Sequence, residues 1–144
     1  MTLALDVNPL AYASNDASPF HSRARAAIDQ LVRADEPVYL FWPVVMGYLR
    51  VATNRKAFRA PLSFEDAIAN MEDLLRLPHF RSGSERFEFM RVLRDIGTTL
   101  PLQGDLISDA HIVALMRQHD VSTVWTHDRD FRKFDGIRVV DPFA

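Results

Sequence analysis

The chain has 144 residues, a formal net charge of −2 and a composition of 48% hydrophobic and 25% charged residues. That length fits one domain around one core, and the composition is typical of a globular protein rather than of a disordered or membrane-spanning one. The absence of cysteine excludes disulfides and cysteine-based zinc or redox sites. The N-terminus has no basic segment that leads into an apolar one, so we expect no signal peptide, no membrane association and a cytoplasmic location.

The first half of the chain alternates between short apolar runs and stretches in which apolar residues have helical spacing. The predicted elements are a strand over 3–5 that ends at Asp6, a helical turn over 8–13, a helix that Ser18 and Pro19 open and that runs to about Arg33, a strand over 37–40 and a helix from Pro43 to about Asn54. A basic loop over 55–61 follows.

The second half continues the alternation. Ser63 and Asp66 resemble a capping box, which predicts the start of a fourth helix. The elements after it are a loop over 79–84 with a short extended piece, a helix over 85–96, a sixth helix after the break at Gln103 and Gly104, and strands over 121–126 and 137–140. Such alternation predicts an α/β fold with a central parallel sheet of four or five strands flanked by helices, in a single domain over 1–144.

Aspartates follow two of the predicted strands. Asp6 ends the first strand, Asp128 lies just past the strand over 121–126, and Asp109 stands in the sixth helix one turn after Asp105. In open α/β sheets, ligands bind outside the carboxyl ends of the strands, so these carboxylates can converge at one end of the sheet. Clustered carboxylates repel each other unless a cation neutralises them, and oxygen ligands favour Mg²⁺ or Mn²⁺ over zinc.

Each aspartate also has a purely structural interpretation. Asp6 can begin an Asx turn into the following helix, Asp105 can be an N-cap, and Asp128 can cap the turn after it. Spacing by itself leaves these alternatives open.

The sequence resembles the PIN domains of the VapC toxin type over residues 3–143. The early Asp, the Asp109-Ala110 pair and the Thr-x-Asp-x-Asp-Phe run form a specific combination. The matching segments are Leu5–Leu10, Trp42 with Gly47–Asn54, Gly104–Leu115, the run at 124–131 and Val140–Phe143.

This resemblance implies a metal-dependent endoribonuclease that hydrolyses RNA as the toxin of a toxin–antitoxin pair. By position, Asp6 and Asp109 correspond to the main metal ligands, Asp128 to the third acidic position and Asp130 to a less constant fourth. Asp128 would also orient the attacking water. The resemblance implies Mg²⁺ as cofactor, with Mn²⁺ as a possible substitute.

One departure from the family pattern concerns a glutamate that PIN domains commonly carry on the third helix. Its place falls near Met46 or Gly47, where this chain has no acid. The subgroup with a Leu-Arg-x-x-Thr segment often lacks it, so loss of activity does not follow. One ligand fewer favours a single ion over two, and Asp105, one turn from Asp109 on the same helix face, is a candidate replacement.

Further residues are candidates for supporting roles. Arg50 could reach a substrate phosphate, Thr126 could bond a ligand carboxylate, and Asn8 could orient Asp6. Each has an equally ordinary structural interpretation. The basic residues Arg55, Lys56 and Arg59 could follow an RNA backbone or could simply be solvated. His111 and His127 are expected to face solvent.

The partners that we expect are an RNA substrate, a small antitoxin protein and a second copy of the chain in a homodimer. Surplus apolar surface for the antitoxin is expected from six aromatic residues, which are Tyr12, Phe41, Trp42, Tyr48, Phe58 and Phe64. The alternative functions are a non-catalytic PIN-like RNA-binding module and a Mg²⁺-dependent phosphatase that acts on small molecules.

Overall fold

The strands form one sheet in a computed structural model that describes all 144 residues. The elements in chain order are β1 (Leu3–Leu5), α1 (Val7–Ser14), α2 (His21–Arg33), β2 (Val38–Phe41), α3 (Trp42–Ala52), α4 (Phe64–Leu75), β3 (Phe80–Gly83), α5 (Phe89–Thr99), α6 (Asp105–Gln118), β4 (Thr123–Trp125), a 3₁₀ helix (Arg129–Lys133) and β5 (Arg138–Val140). The predicted α/β class is therefore confirmed, with five strands.

All strand pairs are parallel, and the order across the sheet is β3-β2-β1-β4-β5. The central strand β1 uses Ala4 to pair with Tyr39 of β2 on one side and Val124 of β4 on the other. From β1 the chain adds β2 and β3 on one side of the sheet, and it later adds β4 and β5 on the other side. The crevice at the carboxyl ends of β1 and β4 is the topological switch point, where α/β sheets bind ligands.

The core lies on both faces of this sheet. Ala4 and Leu5 of β1 are fully buried, and α6 contributes an unbroken buried run from Ile112 to Met116. A strand that is covered on both faces needs a continuous apolar sequence, which is why the short Leu-Ala-Leu run suffices for the central position. None of the six helices combines the length and the apolar composition that crossing a bilayer requires.

Two predicted helix starts were wrong. Helix α2 begins at His21 rather than at Pro19, because Ser18 closes a local turn in which its Oγ accepts the N–H of Phe20 at 3.1 Å. Helix α5 begins at Phe89 rather than at Glu85, because the Gln118 side chain bonds the backbone of the preceding segment. The extended piece expected within 79–84 is β3, which pairs with β2.

The expectation of surplus aromatic surface was wrong for half of the six residues. Phe41, Tyr48 and Phe58 are buried in the core, with at most 2% of their surface exposed. Trp42 and Phe64 are exposed. The core takes up Phe41 beside His119 at the end of α6 and Tyr48 beside Asn70 of α4.

Candidate active site

Asp6 stands where β1 ends and α1 begins. Its backbone is extended, and its Oδ1 accepts the N–H of Val7 at 2.7 Å, so it is the N-cap of α1. Its own N–H donates to the carbonyl of Trp125 at the end of β4, 3.1 Å away. The side chain is only 8% exposed. Asp6 is thus an N-cap rather than the start of an Asx turn, because its Oδ1 bonds the residue directly after it, and each carboxylate oxygen still has a lone pair for a further ligand.

Thr126 connects Asp6 to the other strand end. Its fully buried hydroxyl donates to Oδ2 of Asp6 at 2.7 Å and accepts from Nδ2 of Asn8 at 3.2 Å and from the N–H of Asp128 at 3.0 Å. A hydroxyl has one proton and two lone pairs, so these three contacts use its full capacity. Asn8 in turn accepts the N–H of His127 through Oδ1 at 3.0 Å.

Three carboxylates form a cluster beside this network. One oxygen each of Asp109, Asp128 and Asp130 lies within 4.8 Å of the others. Asp128 caps the 3₁₀ helix by accepting the N–H of Asp130 at 2.9 Å, which turns both side chains to one side. Lys133 approaches the outer edge, with its Nζ 3.1 Å from Oδ1 of Asp130. All three donors are oxygens, as a hard divalent cation prefers.

Burial and neighbouring charges raise the pKa values of two acids at this site, Asp109 and Asp6. Partial burial, with the charges of Asp128, Asp6, Asp130 and Asp105, raises the pKa of Asp109 from 3.8 to about 7. Burial also raises the pKa of Asp6, and Asp128 adds to the rise, while the bonds from Thr126 and Val7 oppose it. A bound cation would stabilise the ionised forms, so the site favours positive charge.

The structure brings some of the predicted site residues together and leaves others apart. Asp109, Asp128 and Asp130 form the cluster, whereas Asp6 lies outside this group of three and faces Thr126. Asp105 is not an N-cap, because Gly104 at φ +59° holds that position and Asp105 is the first helical residue, exposed to solvent. Arg50 is exposed in the last turn of α3.

Gly47 explains part of the departure from the family pattern on α3. A Cβ at this position would lie 2.8 Å from Cγ2 of Val7, the residue next to Asp6. The close approach of α3 to α1 therefore has no room for a side chain here, and an acid at Gly47 would displace the start of α1. Met46 beside it is 60% exposed.

The sequence did not reveal two contacts of the histidines near the site. Nδ1 of His127 lies 2.9 Å from Oδ2 of Asp141, and Nε2 of His111 lies 2.6 Å from Oε1 of Glu85. Asp141 follows β5 just as Asp6 follows β1, so the rule that found Asp6 would have found Asp141 if applied to the last strand. The side chain of His127 is 40% exposed, so solvent reaches it as expected.

An open parallel sheet with an acidic cluster at its switch point defines an α/β protein that is suited to hold a divalent cation there. The family model described as PIN domain matches residues 3–137. The chain is 44% identical to Ribonuclease VapC48 of Mycobacterium tuberculosis over 144 residues, which cover 100% of this chain and 99% of that protein. It is 33% identical to Ribonuclease VapC25 of the same organism, covering 96% of each. The chain belongs to the PIN domain family, among the VapC ribonucleases.

Solved structures with low sequence identity share the fold. VapC20 of Mycobacterium tuberculosis, described as a Sarcin-Ricin loop cleaving toxin, superposes with a TM-score of 0.67 at 17% identity, covering 94% of this chain and 98% of that one. VapBC-1 of nontypeable Haemophilus influenzae gives a TM-score of 0.67 at 14% identity, covering 99% and 98%. At this identity the likeness concerns the fold.

Proposed function

We propose that this protein is a Mg²⁺-dependent endoribonuclease that hydrolyses RNA phosphodiester bonds as the toxin of a toxin–antitoxin pair. The observation that carries the proposal is the convergence of Asp109, Asp128 and Asp130 at the switch point of a PIN fold. The high identity to Ribonuclease VapC48 over the whole chain supports the same chemistry.

Asp6, Asp109 and Asp128 would hold the ion, and Asp130, which belongs to the same cluster as Asp109 and Asp128, is a further candidate ligand. Oxygen donors without nitrogen or sulfur favour Mg²⁺, and Mn²⁺ should substitute for it. When bound, Mg²⁺ supplies activation of water and neutralisation of charge at the scissile phosphate.

The chain's own residues determine the geometry of the reaction. Thr126 holds the carboxylate of Asp6 and the backbone of Asp128 through one hydroxyl, so the ends of β1 and β4 cannot move independently. Asp128, whose other oxygen is free of the capping bond, would orient the attacking water and accept its proton. Arg50 and the basic loop over 55–61 would contact RNA phosphates outside the acidic centre.

The antitoxin partner would bind beside α1. A cleft of 670 Å³ between α1, α2 and α4 combines apolar residues such as Leu10, Ile28 and Met71 with the charged Arg25 and Asp29. An amphipathic segment of an antitoxin fits such a groove. The cleft lies along the C-terminal half of α1, so a segment that continued along α1 to its N-cap could bring an arginine to Asp6, where it would pair with the carboxylates and compete with Mg²⁺. Solved relatives include VapBC and FitAB pairs, such as FitAcB from Neisseria gonorrhoeae.

The experiment is inducible expression of the chain alone in bacterial cytoplasm, where we expect it to act. The wild type should arrest growth, Asp109→Asn should not, and coexpression of the neighbouring antitoxin gene should restore growth. Purified wild type should cleave long RNA, EDTA should stop the cleavage, and Mg²⁺ or Mn²⁺ should restore it. Full cleavage by a folded Asp109→Asn protein would contradict the proposed site.

The same assays separate the alternatives. A non-catalytic RNA-binding module would retain RNA without cutting it at any metal concentration. A small-molecule phosphatase would hydrolyse simple phosphate esters, which a ribonuclease of this design should leave intact.

A further inference from the structure

The segment after β5 folds back beside the catalytic centre, and we refer to Asp141–Phe143 as the β5 strap. Phe143 is only 4% exposed, and its ring lies 5.3 Å from that of Tyr12 and 5.2 Å from that of Phe20, measured between centroids. Its carbonyl accepts a bond from Nη1 of Arg23 at 2.9 Å. The strap is therefore anchored to α1 and α2 by packing and by hydrogen bonding.

Asp141 ties this strap to the loop that carries Asp128. Its Oδ1 accepts the N–H of Phe143 at 2.8 Å, and its Oδ2 lies 2.9 Å from Nδ1 of His127. The imidazole is also packed against Phe143, with ring centroids 5.6 Å apart. The ring of His127 is thus held by a charge-assisted bond on one side and by aromatic contacts on the other.

The backbone of His127 continues the connection into the site. Its N–H donates to Asn8 at 3.0 Å, Asn8 donates to Thr126 at 3.2 Å, and Thr126 donates to Asp6 at 2.7 Å. His127 also lies between Thr126 and Asp128 in the chain. If the backbone of His127 rotated, the Asp128 carboxylate would move and the bond to Asn8 would break. The contacts that hold the imidazole ring oppose such a rotation.

We propose that Asp141 and Phe143 are positioning residues, which hold His127 and thereby set the orientation of Asp128 and Asn8 for metal binding. The inference rests on the proposed function, because it concerns the same metal site. It assigns a role to the Asp-Pro-Phe segment that neither the carboxylate cluster nor the fold requires. Residues that orient ligands from outside typically change metal affinity by tenfold or more, so an effect of about this size is expected.

The test compares two carboxylate–histidine pairs of the same chain. Asp141→Ala breaks the pair with His127, and Glu85→Ala breaks the pair with His111 on α6, the helix that carries Asp109. The control thus removes the same kind of bond near the other ligand, but His111 has no link to the network around Thr126. Asp141→Asn preserves an acceptor for Phe143 and a polar partner for the imidazole, so it should rescue.

Two readouts on the purified full chain are independent of cleavage. Calorimetric titration with Mn²⁺ should show about tenfold weaker binding for Asp141→Ala and Phe143→Ala, and wild-type binding for Glu85→Ala and Asp141→Asn. In EDTA, amide hydrogen exchange at His127 and Asp128 should accelerate in the first two variants, while β1 stays protected.

Unchanged Mn²⁺ affinity and unchanged exchange in a folded Asp141→Ala or Phe143→Ala chain would overturn the positioning role. Equal weakening by Glu85→Ala would also overturn it, since the effect would then not depend on the strap. If Asp141→Ala fails to fold, Asp141→Ser and Phe143→Ala decide by the same criteria. Retention of Mn²⁺ by Asp109→Asn would instead contradict the metal site, which distinguishes failure of the proposed function from failure of this inference.

Discussion

Thr126 and Asp6 lie 120 residues apart in the chain, yet the hydroxyl of one donates to the carboxylate of the other at 2.7 Å inside the protein. This bond joins the end of the central strand β1 to the end of its neighbour β4. Because the same hydroxyl accepts from Asn8 and from the backbone of Asp128, its loss would leave three polar groups without their partner at once.

Thr126→Val should therefore lower both stability and cleavage, although the two side chains have the same shape. Unsatisfied buried polar groups cost about 1–3 kcal/mol, and misoriented ligands should reduce cleavage by roughly 10–100-fold. Thr126→Ser keeps the hydroxyl and should retain most of both properties. Chemical denaturation and RNA cleavage at saturating Mg²⁺ measure the two effects. Equal activity of the valine and serine variants would show that the hydroxyl has no role in the site.

The raised pKa of Asp109 makes the metal-free protein sensitive to pH. The pKa of Asp109 is about 7 in the folded chain, whereas the ordinary pKa of an aspartate, which applies to the unfolded chain, is 3.8. Between these values the folded state binds more protons than the unfolded state, so stability falls as the pH rises. Asp109→Asn removes this loss and should melt at a higher temperature than wild type in EDTA at pH 8, with no difference near pH 4.

The expected size is modest, because the carboxyl group is only half-buried and solvent screens it. A gain on the order of 1 kcal/mol, or roughly 3 °C for a domain of this size, is a realistic expectation. Saturating Mg²⁺ should reverse the order, since only wild type gains stability from binding. A pH-independent difference in EDTA would show that Asp109 is not the titrating group.

Asp105 and Asp130 should differ in their effect on metal activation. Asp130 contributes an oxygen to the cluster, so Asp130→Asn should raise the Mg²⁺ concentration for half-maximal cleavage by about tenfold. Asp105 is exposed, and its charge makes the smallest contribution to the raised pKa of Asp109. Asp105→Asn should therefore change the Mg²⁺ concentration for half-maximal cleavage by less than about threefold. A larger effect of Asp105→Asn would mean that this residue replaces the glutamate missing from α3.

Gly47 and Gly97 form a matched pair of helical glycines. A Cβ at Gly47 would meet Val7 at 2.8 Å, whereas at Gly97 the nearest contact is Leu102 at an ordinary 3.7 Å. Gly97→Ala should stabilise the protein by up to about 1 kcal/mol through helix propensity. Gly47→Ala should destabilise it by about 1–2 kcal/mol despite the same propensity gain, because Val7 is stiff and adjoins Asp6. Thermal unfolding measures both, and stabilisation by Gly47→Ala would show that α1 can yield.

The homodimer remains a prediction, and one surface suggests where it forms. Phe87 is 93% exposed although Gln118 fixes its backbone, and Met90 on the next turn is 68% exposed. A shallow pocket of 420 Å³ lies beside Met90 and is lined by Met90, Leu93 and Leu102. Exposed apolar side chains and a shallow pocket suit a two-fold contact, in which an apolar side chain of each copy fills the pocket of the other.

Sedimentation of the full chain with Asp109→Asn, which removes toxicity, tests this surface. We expect a dimer that Phe87→Ser converts to a monomer and that Phe64→Ser, at another exposed aromatic residue, leaves intact. A monomer before any substitution at α5, or a dimer that survives Phe87→Ser, would exclude this face.

Local patterns along the chain were enough to predict the α/β class and to single out the aspartates that lie at the ends of the strands. Strands and helices can be recognised from short stretches of sequence, because the spacing of apolar residues differs between the two. The positions of Asp6 and Asp128 at strand ends followed from the same patterns, since parallel strands end at one edge. Helix starts at Pro19 and Glu85 failed because Ser18 and Gln118 offer the backbone other hydrogen bonds.

The sequence did not predict which acids come together or which contacts hold them, because both depend on how the elements pack. Asp109 and Asp130 come together because α6 and the 3₁₀ helix pack at the same edge of the sheet. The spacing of residues along either element does not predict this contact. The role of Thr126 and the contact of His127 with Asp141 depend on pairs separated by 120 and 14 residues. Such contacts form when burial of the sheet brings remote strand ends together. The polar groups at these ends are then removed from water and need hydrogen-bond partners within the protein.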